Sequence, residues 1–172
     1  MGAKILIDVT PFEECVCRKM PNNYDLCQDI LTFSEKGKKV RLVIRPGEEA
    51  KALVLDGCVF KDNKLKCDGL FLFQKGNKKF ALLVELKGAH NIAHAFQQLA
   101  YVQKSRKEYR QLVDRFQRDG VGKLTEKAFI VSNGQLTKTE QESLENQYGI
   151  RVTTVLLCEA TSPIPDLSKY LK

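Results

Sequence analysis

The chain has 172 residues, 43% of them hydrophobic and 28% charged, and no tryptophan. That suffices for one domain with a sizeable core, is too little for two, and excludes a disordered or fibrous chain. Lysine and arginine outnumber aspartate and glutamate by 28 to 21, a net charge of +7, which favours a polyanionic partner such as nucleic acid or an anionic membrane face. No run is long or apolar enough to span a bilayer. Residues 1–11 lack the apolar stretch and small-residue cleavage site of a signal peptide. The expectation is a cytoplasmic protein with no membrane partner. Its six cysteines then read as thiols rather than a disulfide framework.

Residues 4–9 read as a short strand. Pro21-Asn22-Asn23 marks a turn, and 24–33 reads as a short helix with Leu26, Ile30 and Phe33 on one face, closed by Gly37. Strands are expected at 40–45 and 50–55, separated by a turn at Pro46-Gly47 and followed by one at Asp56-Gly57. Two more are expected at 66–74 and 79–87. Residues 91–118 read as one long helical stretch ended by Gly120 and Gly122. A strand at 127–131, a turn at Ser132-Asn133-Gly134, a polar helix at 137–148 capped by Gly149 and a strand at 151–157 complete the order. The tail, 158–172, carries Pro163 and Pro165 and reads as loosely attached. This order predicts a single α/β domain (an α+β mixed sheet) over 1–172, with a core of about 24–157 and a central mixed sheet flanked by helices.

The chemistry concentrates around Gly76-Asn77, a two-residue hairpin signal. If those residues close the loop, Lys75 pairs with Lys78, Phe73 with Phe80, and Asp68 falls opposite Glu85. A four-residue loop over 75–78 gives the same register. Opposite residues of an antiparallel pair share a face, with Cβ atoms about 5 Å apart, so two carboxylates converge at the far end of the hairpin. Like charges so placed destabilise a sheet unless something compensates. A hard cation such as Mg²⁺ does so, taking one or two carboxylates plus water and substrate phosphate. Lys87, two residues past Glu85, lies on the same face. In that arrangement an ion on Asp68 and Glu85 polarises a phosphate and acidifies a water, and Lys87 orients the water or stabilises developing charge. The competing reading is a solvated hairpin end with a surface Glu–Lys pair.

Cys67-Asp68-Gly69 followed by Val84-Glu85-Leu86-Lys87-Gly88 resembles motifs II and III of the PD-(D/E)XK nuclease superfamily, with Cys67 where that family usually has proline. Gln97-Gln98-Leu99-Ala100-Tyr101 resembles the QxxxY motif of its RecB-like branch, Gln97 and Tyr101 standing i and i+4 on one helix face. The likeness covers 56–101 well and the rest in element order. It implies a restriction-endonuclease-like core and a Mg²⁺-dependent (or Mn²⁺-dependent) hydrolase of phosphodiester bonds in DNA, RNA being the less expected substrate. It places the metal on Asp68, Glu85 and the Leu86 carbonyl, with Lys87 assisting attack. Gln97 and Tyr101 would position the site and contact DNA. The resemblance also implies a role in repair, recombination or defence, and a homodimer where both strands are cut. The family carries a further acidic residue on its first helix, for which Glu14 is the choice, beside Glu13. Glu48 and Glu49 follow a turn and read as solvated.

Three other groups invite a reading. On the second half of the long helix, Lys104, Lys107, Arg115 and Arg118 lie near one face around Gln111, opposite an apolar stripe of Tyr109, Leu112, Val113 and Phe116. That basic face suits phosphate contacts that position DNA without reading sequence, or is simply solvated. His90 and His94 stand i and i+4, a spacing able to bind metal, or form an ordinary polar face. Cys15, Cys17 and Cys27 offer three ligands for zinc or an iron–sulfur cluster, while Cys58 and Cys67 suit small buried positions. Two further functions compete with a nuclease: a non-catalytic nucleic-acid-binding module, and an interaction subunit of a larger nuclease assembly.

Overall fold

The structure is a computed structural model and describes residues 7–19, 24–118 and 122–171. The expected turn at 21–23, residues 4–6 of the first expected strand and Gly120 fall outside them; residues 7–9 are not strand. In chain order the strands are β1 (Cys27–Asp29), β2 (Thr32–Glu35), β3 (Lys38–Arg41), β4 (Glu48–Val54), β5 (Gly69–Lys75), β6 (Lys78–Lys87), β7 (Lys123–Ser132) and β8 (Thr154–Leu157). The helices are α1 (Ile92–Ser105), α2 (Lys107–Phe116) and α3 (Lys138–Tyr148).

β4 to β8 form one five-stranded mixed sheet in chain order, and β1 to β3 a small antiparallel sheet. β4, β5 and β6 are an antiparallel meander, while β6–β7 and β7–β8 are parallel. Parallel neighbours need a crossover. Helices α1 and α2 supply the first and α3 the second.

Side-chain alternation sorts the two faces of the sheet. Lys79 donates to the Phe116 carbonyl of α2 at 2.9 Å, and Lys87 to Gln98 of α1 at 2.7 Å, so the odd-numbered face of β6 lies under the helices. The other face carries Phe71 and Phe129, which meet Phe33 of β2 (centroids 4.5 Å apart) and Tyr170 (5.4 Å). The small sheet and the C-terminal segment therefore cover that side. Cover on both faces explains why Leu70–Phe73 and Phe80–Val84 are unbroken apolar runs rather than alternating ones, and all of them are buried.

Several sequence expectations change. Residues 24–33 are not a helix: β1 and β2 form a hairpin there, its turn closed by the Asp29 carboxylate accepting from the Leu31 amide at 2.9 Å. The helical spacing of Leu26, Ile30 and Phe33 is overridden because Phe33 packs fully buried on β5. Gly37 caps no helix. With Lys36 it forms the β2–β3 turn, both residues at positive φ, as a two-residue hairpin loop of this kind requires. The strand expected over 40–45 is β3 and stops at Arg41, beyond which the chain pairs with the C-terminal segment.

That segment is not loosely attached. Leu167 is fully buried, the Pro165 carbonyl accepts from the Arg41 amide at 2.9 Å, and Asp166 accepts from the Val43 amide at 3.1 Å. The single helix expected at 91–118 is two, broken at Arg106, whose backbone is extended. α3 begins with a capping box between Thr137 and Glu140 and ends on left-handed Gly149, as its sequence signals.

The thiol reading of the cysteines is overturned for four of the six. Cys15 is disulfide-bonded to Cys58, and Cys17 to Cys27; Cys67 and Cys158 are free and buried. The bonds span 43 and 10 residues, and closing such loops in the unfolded chain contributes about 4 and about 3 kcal/mol to stability.

Gly69 marks where the small sheet seats on the large one. A Cβ there would lie 2.5 Å from the Phe33 ring, and that ring is fully buried. Gly69→Ala is expected to cost about 1–3 kcal/mol through overpacking, read as a lower urea midpoint. Adding Phe33→Leu should recover part of the loss. A midpoint unchanged by Gly69→Ala would contradict this packing.

Candidate active site

The β5–β6 register runs from Gly69 opposite Val84 to Lys75 opposite Lys78, as the Gly76-Asn77 hairpin requires. Continued by one residue, it sets Asp68 against Glu85. The Asp68 amide donates to Glu85 Oε1 at 3.0 Å, and the Leu86 amide donates to Asp68 Oδ2 at 2.8 Å. Each carboxylate thus grips the other strand's backbone. Asp68 is only 8% exposed and Glu85 3%. Lys87 Nζ lies 3.4 Å from Glu85 Oε2 and donates to Gln98 Oε1 at 2.7 Å. Gln98 in turn donates to the Lys66 carbonyl at 2.8 Å. The Asp68 carbonyl accepts from the Leu55 and Asp56 amides at 2.9 and 3.4 Å.

The electrostatics follow from burial. Burial and then the Asp68 charge push Glu85 above the ordinary carboxylate range, and Lys87 pulls it partly back. Burial and then the Glu35 charge push Asp68 up, opposed by the Leu86 amide. Cys67, fully buried beside them, is also pushed up, by burial first and then by both carboxylates. It is a packed, inert thiol.

The donor set fits a hard divalent cation. Two buried carboxyl groups face one another, each keeps one oxygen off the backbone amides, and a single ammonium stands beside the two acidic groups. Oxygen donors of this kind suit Mg²⁺ or Mn²⁺.

The remaining sequence candidates separate. The structure brings Gln98, not Gln97, to Lys87; Gln97 is exposed, its Oε1 3.3 Å from His94 Nδ1. Tyr101 lies 5.6 Å from the Arg106 guanidinium. His90 and His94 are both exposed. Leu86 is buried and its amide serves Asp68. Glu14 sits in a 3₁₀ turn, Glu13–Cys15, with its carboxylate within 4.8 Å of the Cys15 and Cys58 sulfurs. Those sulfurs bond each other, and Cys17 bonds Cys27, so Cys15, Cys17 and Cys27 do not offer the three thiolate ligands that their spacing allowed. Glu35, at the end of β2, was not singled out in the sequence. Reading 24–33 as a helix hid it.

Lys104 parts from the other basic candidates. It donates to the Tyr148 carbonyl at 3.0 Å, a cation capping the C-terminus of α3. Lys107, Gln111, Arg115 and Arg118 do line one shallow groove of about 560 Å³, joined by Arg110 and Asp114. Arg115 also lies 3.6 Å from Asp8.

Arg106 was missed as well. Its side chain is 3% exposed, and its guanidinium reaches Asp62 with two bonds (2.7 and 2.8 Å) and the carbonyls of Leu65 (2.9 Å) and Lys64 (3.0 Å). It also stacks 4.5 Å from the Phe60 ring. The break between α1 and α2 thus anchors the loop that leads into Asp68. A lone arginine inside a helical pattern gives no sequence sign of this.

The chain matches no protein-family model, and no curated protein or solved structure is significantly similar to it.

The Arg106 bonds hold the Asp62 carboxyl well below its usual 3.8, at about 2. A depressed folded-state value means stability present above the unfolded pKa and lost as pH falls through the folded one. Wild type and Asp62→Asn should therefore differ in melting temperature at pH 7 and converge as pH falls from about 4 to about 2. A gap that stays constant across that range would contradict the pairing.

Proposed function

We propose that the chain is a Mg²⁺-dependent nuclease that hydrolyses phosphodiester bonds in DNA. The observation that supports this best is the Asp68–Glu85 pair: two almost dry carboxylates, opposed across a fixed register, with Lys87 beside them. Protein interiors do not keep such a pair ionised without a compensating charge. Asp68, Glu85 and the Leu86 carbonyl would hold the ion, which when bound supplies the charge that polarises a phosphate and acidifies a water. Lys87, held by Gln98, presents its ammonium to negative charge developing on the phosphate. Gln98, anchored on Lys66, takes the part that the resemblance gives to Gln97. Tyr101 acts at one remove, through Arg106 and the loop before Asp68.

DNA is the preferred substrate because the chain is basic and because the motifs around Asp68, Glu85 and Lys87 resemble those of DNA nucleases. The α2 groove offers Lys107, Arg110, Arg115 and Arg118 to phosphates, contacts that position a duplex without reading its sequence. No helix of the described residues is long and apolar enough to cross a membrane. A cytoplasmic setting is part of this proposal, and it bears on the disulfides, since cytosolic disulfides are usually transient and redox-sensing.

Incubation with linear, circular and branched DNA tests the reading. Cleavage, including cuts in circular DNA, is expected with Mg²⁺ or Mn²⁺ and is abolished by a chelator. Asp68→Ala and Lys87→Ala should each slow it by about 100-fold or more. No cleavage in any metal, or cleavage untouched by both substitutions, would overturn the assignment. Lys107→Glu with Arg118→Glu should weaken DNA binding and flatten its salt dependence by roughly 0.9 in log–log slope per lost phosphate contact. The turnover of bound substrate should not change.

A further inference from the structure

One of the two disulfides, Cys15–Cys58, is linked through a tight turn to the backbone that carries Asp68. Cys58 belongs to the tight turn at 55–60, closed by Phe60 donating to the Leu55 carbonyl at 2.8 Å and Gly57 donating to the Phe60 carbonyl at 3.0 Å. The first two residues of that turn, Leu55 and Asp56, donate their amides to the Asp68 carbonyl. Cys58 is tied to Cys15, on an N-terminal segment that runs beside the sheet edge through the Cys17 amide bonding Ala52 (2.8 Å) and Val16 bridging Leu53. Cys17 then ties the same segment to β1 of the small sheet. One short stretch, Cys15-Val16-Cys17, therefore fastens the small sheet and the Asp68 turn to the edge of the main sheet.

Two polar side chains lie against the Cys15–Cys58 bond. Tyr24, an exposed residue, places its hydroxyl 3.0 Å from Cys58 Sγ, and the exposed Glu14 carboxylate lies within 4.8 Å of both sulfurs. Both cysteines are themselves buried, Cys15 at 0% and Cys58 at 4% exposure, so a small dithiol reaches the sulfurs when these side chains and the turn move aside.

We propose that the Cys15–Cys58 disulfide is a redox latch on the carboxylate site: oxidised, it fixes turn 55–60 against Asp68; reduced, it frees the turn and slackens the site. The reductant is a dithiol. One of its thiolates attacks one protein sulfur, forming a mixed disulfide and releasing the other protein sulfur as a thiolate. Its second thiol then attacks the dithiol's own sulfur in the mixed disulfide and displaces the protein sulfur first attacked. The protein gains two electrons and two protons as two thiols, and the dithiol leaves as a cyclic disulfide. The consequence for cleavage rests on the nuclease reading, whereas the movement of the turn does not.

Residue-resolved amide hydrogen exchange of the whole chain, oxidised and after full reduction by dithiothreitol, tests the latch. Free thiols are counted by alkylation and mass. Exchange at Leu55, Asp56 and Phe60 is expected to rise by about tenfold or more on reduction, while Leu83 and Ile130 in the sheet centre keep their protection. Cys15→Ser/Cys58→Ser should reproduce the reduced pattern and be insensitive to dithiol; Cys17→Ser/Cys27→Ser should keep the turn protected until reduced. Cleavage, measured in parallel, should fall with the opening of the turn. Unchanged exchange at Leu55 and Asp56 in fully reduced protein would overturn the latch, as would a uniform rise over the whole sheet. Local opening in a protein that cleaves nothing would sustain the latch and defeat the nuclease reading.

Discussion

Two carboxylates facing each other in nearly dry protein are the constraint around which the rest is arranged. Asp68 and Glu85 each accept an amide from the opposite strand, so they are bound into the sheet rather than placed on it. Burial pushes both toward protonation, helped at Glu85 by the Asp68 charge and at Asp68 by the Glu35 charge. Such a pair is costly to keep in an apolar core. A bound cation, as proposed above, would relieve that cost.

Much of the surrounding architecture serves that placement. The meander fixes the register. Arg106 reaches out of the helix layer to hold the loop at 62–65, and turn 55–60 holds the Asp68 carbonyl from the other direction. Phe33 on Gly69 seats the small sheet against the same corner. Gln98 steadies Lys87. These supports come from separate stretches of chain and together fix the position of the pair.

What was legible in the sequence was what local chemistry decides. Gly76-Asn77 set a register that the structure reproduces residue for residue, because the strand period is two and a slip reverses every side chain. Thr137 to Gly149 carried its own start and stop signals. What escaped was decided at a distance. Residues 24–33 have helical spacing, yet Phe33 is drawn into a strand by a contact with Phe71, which lies 38 residues further along the chain. The cysteines paired across turns whose proximity no spacing reveals. The choice of Gln98 over Gln97 depended on how α1 rolls against β6, which a one-residue shift in helix phase decides.

The central claim is that Asp68 and Glu85 form one divalent-cation site, and direct titration of the oxidised chain with Mn²⁺ by calorimetry tests it with no need of a substrate. The account predicts saturable binding at the pair, lost in Asp68→Ala and in Glu85→Ala while both variants stay folded. Absence of binding by the wild type, or binding that neither substitution weakens, would contradict it.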